Sequence, residues 1–326
     1  MQIYLLLTEK CNLRCGMCIR GKQTGHDLSL ASIKEAPWIN ELRAHDLVLS
    51  GGEPTLHPDF SEITWFFCNH ANNVFITTNG INNSYLSKDF LRENLNFQVS
   101  IDGDEEAHDI IRGKGTFARS MSTVQKLDSL GAKYTISSVV NRRNVQSIKK
   151  LELILRGLQN IKYWRITYEM PFGSANFKDM MTAKEWNTFV DDMISRARLK
   201  IKIQKIFPFE LYDRRKEDLD RLIEKGGRCN NCGSGKDKIY IYPDLTVYPC
   251  TCLTDFPLGS LREKTIAEIL NGKEASLFLH YEVNNEICRE CQYLKYCNGG
   301  CIGMSYHVFN KLGMGDARCP KFSPRN

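Results

Sequence analysis

The sequence predicts an α/β protein in two parts: six βα units that share one parallel sheet, and a small irregular region stabilised by metal. Over residues 1–200, short apolar strand segments alternate with helical segments, which is typical of parallel sheets. From residue 229 onward this periodicity fades, and nine of the 13 cysteines lie between residues 229 and 319. We therefore predict domains over 1–200 and 229–326, joined by a charged helical bridge over 201–228.

Six segments have the composition of strands, and the segments between them have that of helices. The predicted strands are 2–7, 46–50, 73–77, 96–101, 134–140 and 162–167. The predicted helices are 30–44, 58–70, 84–94, 116–131 and 145–158, with others near 184–198, 213–225 and 264–272, and a hairpin is expected over 238–249. Six parallel strands form either an open barrel or a doubly wound sheet. Both bind ligands at the carboxyl ends of their strands.

Composition and charge exclude several classes of protein. No apolar run approaches the roughly 20 residues that a membrane-spanning helix needs, so we expect no membrane partner. The chain begins with a strand instead of a basic region and a cleavable apolar segment, so we expect a cytoplasmic protein. Disulfides explain 13 cysteines poorly in a reducing cytosol, whereas metal ligation explains them well. The net charge of +6 is modest and no nucleic-acid-binding signature is present, so we expect no nucleic-acid partner.

Three cysteines near the N-terminus have the spacing CxxxCxxC. Cys11, Cys15 and Cys18 follow the first predicted strand, which places them at the carboxyl end of the sheet. Three thiolates can ligate only three irons of a four-iron cluster, so one iron is left open to a small molecule. Chance and a zinc site are the alternatives that this spacing alone does not remove.

Glycines and polar side chains follow the other five predicted strands. Two glycines after strand two let the backbone approach a ligand closely, because no β-carbon intrudes. A hydroxyl and a carboxylate after strand four lie on the same side of an extended chain. An arginine further on could pair with a ligand carboxylate or form a structural salt bridge. The candidate binding residues are Gly51, Gly52, Glu53, Pro54, Asn79, Ser100, Asp102, Arg112, Ser138, Asn141 and Gly173.

The C-terminal cysteines form two groups with the spacings Cx2Cx17CxC and Cx2Cx5Cx3Cx17C. The first group is Cys229, Cys232, Cys250 and Cys252, and the second is Cys288, Cys291, Cys297, Cys301 and Cys319. Structural zinc sites also use CxxC pairs, so zinc is the alternative to iron–sulfur ligation here. Cys68 lies within a predicted helix and is expected to be a buried core thiol.

These motifs, in this order, resemble those of the radical S-adenosylmethionine (SAM) superfamily with a C-terminal SPASM extension, which holds auxiliary iron–sulfur clusters. The resemblance covers nearly the whole chain. It implies a partial (β/α)6 TIM-like barrel with a small irregular C-terminal iron–sulfur domain. It also implies that the candidate binding residues contact SAM, which occupies the open iron of the N-terminal cluster. Met17 stands where the family has an aromatic residue, and Leu245 where it often has a glycine.

The resemblance implies three [4Fe-4S] clusters, one that binds SAM and two auxiliary ones. The ligands of the auxiliary clusters interleave along the chain in this family. By that pattern Cys288, Cys291, Cys297 and Cys319 bind auxiliary cluster II, and Cys301 joins Cys229, Cys232 and Cys250 on auxiliary cluster I. Cys252 is a spare cysteine that could exchange roles with Cys229.

The resemblance also implies a reaction class. Cleavage of SAM yields a 5′-deoxyadenosyl radical that takes a hydrogen atom from the substrate, so we expect an oxidoreductase. The favoured function is crosslinking or oxidation of a ribosomally synthesised peptide or a protein side chain. The alternatives are a peptide epimerase, a sulfatase-type Ser or Cys maturase, a small-molecule radical dehydrogenase and a non-catalytic iron–sulfur or zinc scaffold. Tyr168, Glu169 and Cys252 are candidate catalytic partners, although ordinary polar residues at a strand end explain the first two equally well.

Two kinds of partner follow from this function. A peptide or protein substrate would bind directly or be delivered by a separate leader-binding protein, since the sequence has no room for such a domain before strand one. An electron donor such as a flavodoxin or a ferredoxin would reduce the N-terminal cluster.

Overall fold

The computed structural model describes residues 1–21, 25–34, 36–226 and 233–322. These residues form a single sheet whose strands are β1 (Gln2–Thr8), β2 (Asp46–Gly51), β3 (Asn73–Thr78), β4 (Leu95–Ser100), β5 (Tyr134–Val140), β6 (Ile161–Tyr168), β7 (Ile201–Lys202), β8 (Lys238–Ile241), β9 (Thr246–Tyr248) and β10 (Gly259–Ser260). Strands β1 to β7 lie side by side in chain order, and each pairs in parallel with the next. The sheet stays open, with β7 at one edge and β10 at the other. The predicted α/β fold is thus confirmed, and each of the six predicted strands ends within one residue of its expected bounds.

The C-terminal hairpin extends this sheet. Strand β8 pairs in parallel with β1, and β9 and β10 continue the sheet in antiparallel pairs. The side chains of Ile239, Ile241 and Val247 are fully buried and belong to the same hydrophobic core as the barrel strands. Leu245 has φ of 68°, a left-handed conformation that glycine adopts most readily. A non-local strand pairing has no signal in the local sequence, so the sequence predicted the hairpin but not its partner.

The helices of the described residues pack against the outer face and the C-terminal part of the sheet. They are α1 (Leu30–Lys34), α2 (Phe60–Cys68), α3 (Glu105–Arg112), α4 (Thr116–Ser129), α5 (Val145–Leu155), α6 (Ala183–Arg196), α7 (Phe209–Arg214), α8 (Lys216–Glu224), α9 (Ile266–Leu270), α10 (Lys273–Leu279), α11 (Glu286–Arg289), α12 (Leu294–Cys297) and α13 (Ile302–Phe309). Short 3-10 turns occupy Pro37–Ala44, Pro54–Leu56, Lys88–Phe90 and Phe177–Asp179. Within the described ranges, no helix is both long and apolar enough to cross a membrane.

Three helical segments differ from the sequence prediction. The segment predicted as one helix over 30–44 contains α1 (Leu30–Lys34) and a separate 3-10 turn at Pro37–Ala44. The helix predicted over 84–94 is wrong, because this segment contains only the 3-10 turn at Lys88–Phe90. Its apolar residues anchor a loop onto α2: the rings of Tyr85 and Phe90 lie 4.9 Å and 5.9 Å from that of Phe60. Helix α3 was not predicted. Asp104 caps its N-terminus, because the Asp104 side chain accepts a hydrogen bond from the backbone N–H of Ala107.

The two faces of the sheet differ in polarity, and this difference positions the site. Leu5, Ile76 and Val99 face the helices and are fully buried. The residues that alternate with these along the strands point to the other face of the sheet. Among them, Ser50 and Ser100 line an open cavity inside the curve of the sheet.

Candidate functional site

A cavity at the carboxyl ends of β1 to β6 brings most of the predicted residues together. It encloses about 1250 Å³, including space that is open to solvent. The predicted residues that line it are Cys11, Cys15, Cys18, Gly51, Gly52, Glu53, Asn79, Ser100, Arg112 and Tyr168. The three N-terminal cysteines therefore share one cavity with polar groups from several strands, as the sequence predicted.

The loop that carries the three cysteines is fastened to the ends of β2, α3 and β6. The backbone N–H groups of Gly52 and Glu53 donate to the carbonyls of Thr8 and Lys10 at 2.7 Å and 2.8 Å. The N–H of Gly16 donates to the carbonyl of Ile111 at 3.1 Å. On the far side, the N–H of Ser174 donates to the carbonyl of Cys18 at 2.8 Å. The strand ends thus hold the thiols in place through backbone contacts.

Glu53 is buried at the back of this cavity, with 1% of its surface exposed. One carboxylate oxygen accepts from the Thr55 and Thr78 hydroxyls at 2.8 Å and 2.7 Å, and the other accepts from the N–H of Asn79 at 2.7 Å. Burial raises the pKa of Glu53, and these donors act in the opposite direction. The Asn79 amide also donates to the side-chain oxygen of Asn12 at 2.8 Å, which connects the end of β3 to the cysteine loop.

Asp102 and Arg112 form a buried ion pair. The Arg112 Nε donates to an Asp102 carboxylate oxygen at 2.5 Å, and the other carboxylate oxygen accepts from the N–H of Val139 at 2.8 Å. Burial alone would lower the pKa of Arg112, but the adjacent carboxylate raises it. Arg112 lines the cavity, whereas Asp102 lies behind it with no exposed surface. The sequence left two roles open for Arg112, a structural salt bridge and a contact with a ligand carboxylate. The salt bridge is present, and Arg112 can still present its remaining N–H groups to a ligand.

Several predicted residues lie behind the cavity wall. Ser138 donates to the carbonyl of Ile101 and accepts from the Trp164 ring N–H at 2.9 Å. Asn141 donates to one Glu169 oxygen at 2.5 Å, while the other Glu169 oxygen is buried and has no hydrogen-bond partner among the described residues. Burial raises the pKa of Glu169. Pro54 is buried in the 3-10 turn that follows β2 and also lies outside the lining.

Tyr168 is the last residue of β6, and Gly173 lies in the turn that follows it. The Tyr168 ring lines the cavity, and its hydroxyl donates to the carbonyl of Met181. Gly173 has φ of 66°, and a β-carbon there would lie 2.4 Å from the carbonyl oxygen of Cys18. Gly173 therefore allows the end of β6 to contact the cysteine loop, which was not the contact expected from the sequence.

A second cavity, in the C-terminal part, is lined by four cysteines. They are Cys288, Cys291, Cys297 and Cys319, the set that the resemblance assigns to auxiliary cluster II. Phe207, Phe209 and Leu294 supply apolar surface around them. In the part of the chain that the structure describes, no three histidine, cysteine or carboxylate side chains are close enough to hold a single metal ion.

Three further cysteines converge near Gly303. The Cys250 and Cys252 sulfurs are 3.3 Å apart, and the neighbouring thiol lowers the pKa of Cys250 to about 6. A β-carbon on Gly303 would lie 2.7 Å from the Cys252 sulfur and 3.6 Å from that of Cys301. Cys252, the spare cysteine of the sequence prediction, thus lies among the candidate ligands of auxiliary cluster I. Cys229 and Cys232 fall outside the described residues.

The buried ion pair between Asp316 and Arg318 connects the second cavity, the three cysteines near Gly303 and the end of β6. The Arg318 guanidinium donates to the Asp316 carboxylate at 2.6 Å and 3.0 Å, and Asp316 also accepts from the N–H of Cys301 at 2.9 Å. On its other side, the guanidinium carbon lies 5.1 Å from the centre of the Tyr168 ring. Neither residue was a sequence candidate, because only the tertiary fold brings them to Cys301 and Tyr168.

Comparison with known proteins gives two matches to family models: the Radical SAM superfamily over residues 5–153, and SPASM, an iron–sulfur cluster-binding domain, over residues 229–292. The chain belongs to the radical SAM superfamily and carries a SPASM domain. The match to the second model covers Cys229, Cys232, Cys250, Cys252, Cys288 and Cys291.

Relatives of the radical SAM–SPASM chain include two curated maturation proteins. Mycofactocin maturase MftC of Mycolicibacterium smegmatis is 26% identical over 337 residues, which cover 96% of this chain and 81% of MftC. Sporulation killing factor maturation protein SkfB of Bacillus subtilis is 28% identical over 300 residues, which cover 87% of this chain and 68% of SkfB. The structure of Streptococcus suis SuiB bound to SAM superposes with a TM-score of 0.79 at 16% identity, over 98% of this chain and 77% of SuiB. This likeness in structure confirms the predicted fold.

The residues present fit the cofactors of a radical SAM protein. Among the described residues, exactly three cysteines line the barrel cavity, which matches a cluster with one open iron. The four cysteines of the second cavity match a cluster with a complete set of protein ligands. SAM and iron–sulfur clusters are therefore the cofactors of this chain.

The cavity also contains residues that the sequence prediction missed. They are Tyr4, Leu6, Met17, Ile19, Arg20, Ser50, Thr77, Thr78, Val139, Thr167, Met170, Tyr240 and Thr251. The strand residues Tyr4, Leu6, Ser50, Thr77, Val139 and Thr167 share the inward parity of Ser100, so period-two alternation could have identified them. Tyr240 stacks on Tyr4 with ring centres 4.5 Å apart, and only the unpredicted pairing of β8 with β1 places it there.

Substitution of Gly52 by alanine tests how closely the cysteine loop must approach β2. A β-carbon at Gly52 would lie 2.1 Å from the carbonyl oxygen of Lys10, so the loop would have to move. We expect Gly52→Ala to lower the free energy of unfolding by about 1–3 kcal/mol in urea titrations, with loss of iron from the N-terminal site. The matched control is Gly157→Ala, whose β-carbon meets nothing closer than 3.7 Å and should change stability by less than about 0.5 kcal/mol. Equal effects of the two substitutions would contradict this account of the loop.

Proposed function

We propose that this protein is a peptide maturase that uses SAM-derived radical chemistry to crosslink or oxidise a ribosomally synthesised peptide. The observation that carries the proposal is the cavity at the barrel mouth, where three thiols and polar strand-end groups face one open space. The relatives support a peptide substrate, because MftC and SkfB are named as maturation proteins and SuiB has also been solved with its precursor peptide SuiA.

The chain's own residues would hold the cofactors in defined positions. When bound, the N-terminal cluster and SAM would supply 5′-deoxyadenosyl radical chemistry, with an electron from a donor such as a flavodoxin or a ferredoxin. We assign the cluster to Cys11, Cys15 and Cys18, whose loop is held by backbone contacts from three strand or helix ends. Ser100 and Arg112 would contact SAM directly, since both line the cavity.

The remaining predicted SAM-site residues would support these contacts, some from the cavity wall and some from behind it. Asp102 would orient Arg112 through their ion pair, and Glu53 would hold the ends of β2 and β3 together while it faces the SAM ammonium. Ser138 and Asn141 would position the backbone after β4 and β5. Gly51, Gly52, Pro54 and Asn79 would shape the wall beside the cysteine loop, and Gly173 would close its far side.

We propose two auxiliary clusters, which would accept electrons from the substrate radical and make the enzyme an oxidoreductase. Cluster II would use the four cysteines of the second cavity. Cluster I would use Cys229, Cys232, Cys250 and Cys301, with Cys252 as the alternative to Cys229 because its sulfur is close to that of Cys250. Tyr168 and Glu169 remain candidate partners in hydrogen or proton transfer, and Tyr168 has direct access to the cavity.

Coexpression with candidate precursor peptides, taken from any short reading frames that neighbour this gene, tests the function. Mass spectrometry of the recovered peptide should show loss of two hydrogen atoms for each crosslink or two-electron oxidation. The Cys18→Ala variant, which lacks one ligand of the N-terminal cluster, should leave the peptide unchanged. An unchanged mass with new D-residues would instead indicate an epimerase, and an unmodified peptide with active enzyme would exclude this substrate class.

A further inference from the structure

A third cavity adjoins the barrel cavity inside the curve of the sheet. Thr167 and Tyr168, at the end of β6, line both cavities, so the two spaces meet at these residues. Tyr163 and Arg165 lie on the same inward face of β6 as Thr167. The adjoining cavity therefore lies directly beside the place where the proposed chemistry would occur.

Two positively charged side chains lie next to each other on the wall of this third cavity. Arg165 of β6 and Lys202 of β7 are direct partners in the parallel pairing of these strands, and both line the cavity. Like charges on directly opposed strand positions destabilise a sheet unless a counter-charge compensates them. The Lys202 ammonium lies 3.8 Å from the centre of the Tyr163 ring, which supplies a cation–π contact but no charge.

Neither cation has an acidic partner among the described residues. No carboxylate appears among the residues that line the cavity, and neither Arg165 nor Lys202 forms an ion pair within the described ranges. Two other lysines, by contrast, have acidic partners: Lys149 contacts Asp192 at 2.7 Å, and Lys205 contacts Asp191 at 2.7 Å. The cavity is thus a positively charged recess with partly polar and partly apolar walls, and its charge is complementary to an anion.

We propose that this recess binds a carboxylate of the peptide substrate, with Arg165 as the main contact and Lys202 as the second. A guanidinium presents two parallel N–H groups that match a carboxylate, which makes Arg165 the more specific of the two. The carboxylate belongs either to an Asp or Glu side chain or to the C-terminus of the peptide. This inference rests on the proposed peptide substrate and adds a specificity rule to it: the residue to be modified lies close to an acidic group.

Affinity selection from peptide libraries tests the proposal without knowledge of the natural substrate. The probes are nonapeptide libraries with a central Glu or Gln and randomised flanks, each made with a free or an amidated C-terminus. They are passed over the immobilised, anaerobically reconstituted full-length protein, and mass spectrometry measures the retained ratios. We expect either Glu over Gln or acid over amide to be enriched roughly tenfold, the value expected of one charge-assisted hydrogen bond. The two ratios distinguish a side-chain carboxylate from the C-terminal one.

Three variants test whether the recess causes the enrichment of acidic peptides. Arg165→Gln should abolish the enrichment, and Lys202→Gln, at an exposed position that tolerates substitution, should reduce it. Arg198→Gln is the matched control, because it removes the same charge at an exposed position outside the cavity, and it should keep the enrichment. Equal retention of all libraries, enrichment that persists in both recess variants, or enrichment that Arg198→Gln also abolishes would overturn the proposal. Formation of 5′-deoxyadenosine by the same preparations is measured separately, and its absence would count against the proposed function and not against the recess.

Discussion

Replacement of Cys15 by alanine is expected to reduce 5′-deoxyadenosine formation to the level of a reaction without protein. Cys15 lines the barrel cavity with Cys11 and Cys18, and a cluster with only two protein thiolates would be lost. Iron content should fall by about four per chain, from about twelve if all three proposed clusters are present. Anaerobic reconstitution followed by iron determination and chromatography of the products measures both effects.

Cys68→Ala is the matched control for this substitution. Cys68 lies at the end of α2, away from both cysteine-lined cavities, and burial raises the pKa of its thiol to about 11. We expect this variant to keep its full iron content and its 5′-deoxyadenosine formation. A Cys15→Ala protein that still forms 5′-deoxyadenosine above background would show that the barrel cavity is not the site of SAM cleavage.

The Asp316→Asn substitution should cause the largest loss of stability. Asp316 has 1% of its surface exposed, and its carboxylate neutralises Arg318, whose side chain is also buried. Removal of one partner of a buried ion pair leaves an uncompensated charge, which costs about 3–5 kcal/mol. Urea unfolding of the reconstituted protein measures the loss. Auxiliary iron should also decrease, because the Asp316 carboxylate accepts a hydrogen bond from the N–H of Cys301.

An exposed ion pair supplies the control for this second prediction. Asp218 lies 3.8 Å from Arg215, and both side chains are more than half exposed. Exposed pairs contribute about 0–1 kcal/mol, so Asp218→Asn should change stability little and leave the iron content unchanged. If Asp316→Asn were no more destabilising than Asp218→Asn, the buried pair would not hold the C-terminal part to the barrel.

The barrel strands could be predicted from sequence because their signal is local. Alternating apolar segments gave the bounds of β1 to β6 within one residue, and the cysteines after β1 were correctly placed at the carboxyl edge. The prediction of a helix over 84–94 was wrong for a related reason. The apolar residues of this segment anchor a loop through aromatic contacts with Phe60 and do not form the apolar face of a helix. Local composition does not distinguish these two arrangements.

Contacts between distant segments could not be predicted in this way. The pairing of β8 with β1, which adds Tyr240 to the cavity, has no local signature. The same holds for Arg318, which lies above the Tyr168 ring although 150 residues separate them in the sequence. For Asp102, strand parity gave the correct side of the strand, but its ion pair with Arg112 withdraws the carboxylate behind the cavity wall.

Transfer of deuterium from peptide to cofactor product tests the central claim most directly. The candidate peptide is produced in deuterated form and incubated anaerobically with the reconstituted enzyme, SAM and a reductant. Mass spectrometry then determines the isotopic composition of the 5′-deoxyadenosine. If the enzyme removes a hydrogen atom from the peptide, 5′-deoxyadenosine should carry one deuterium, in step with the amount of peptide modified. If the peptide is modified while 5′-deoxyadenosine contains no deuterium, the proposed radical peptide maturation is wrong.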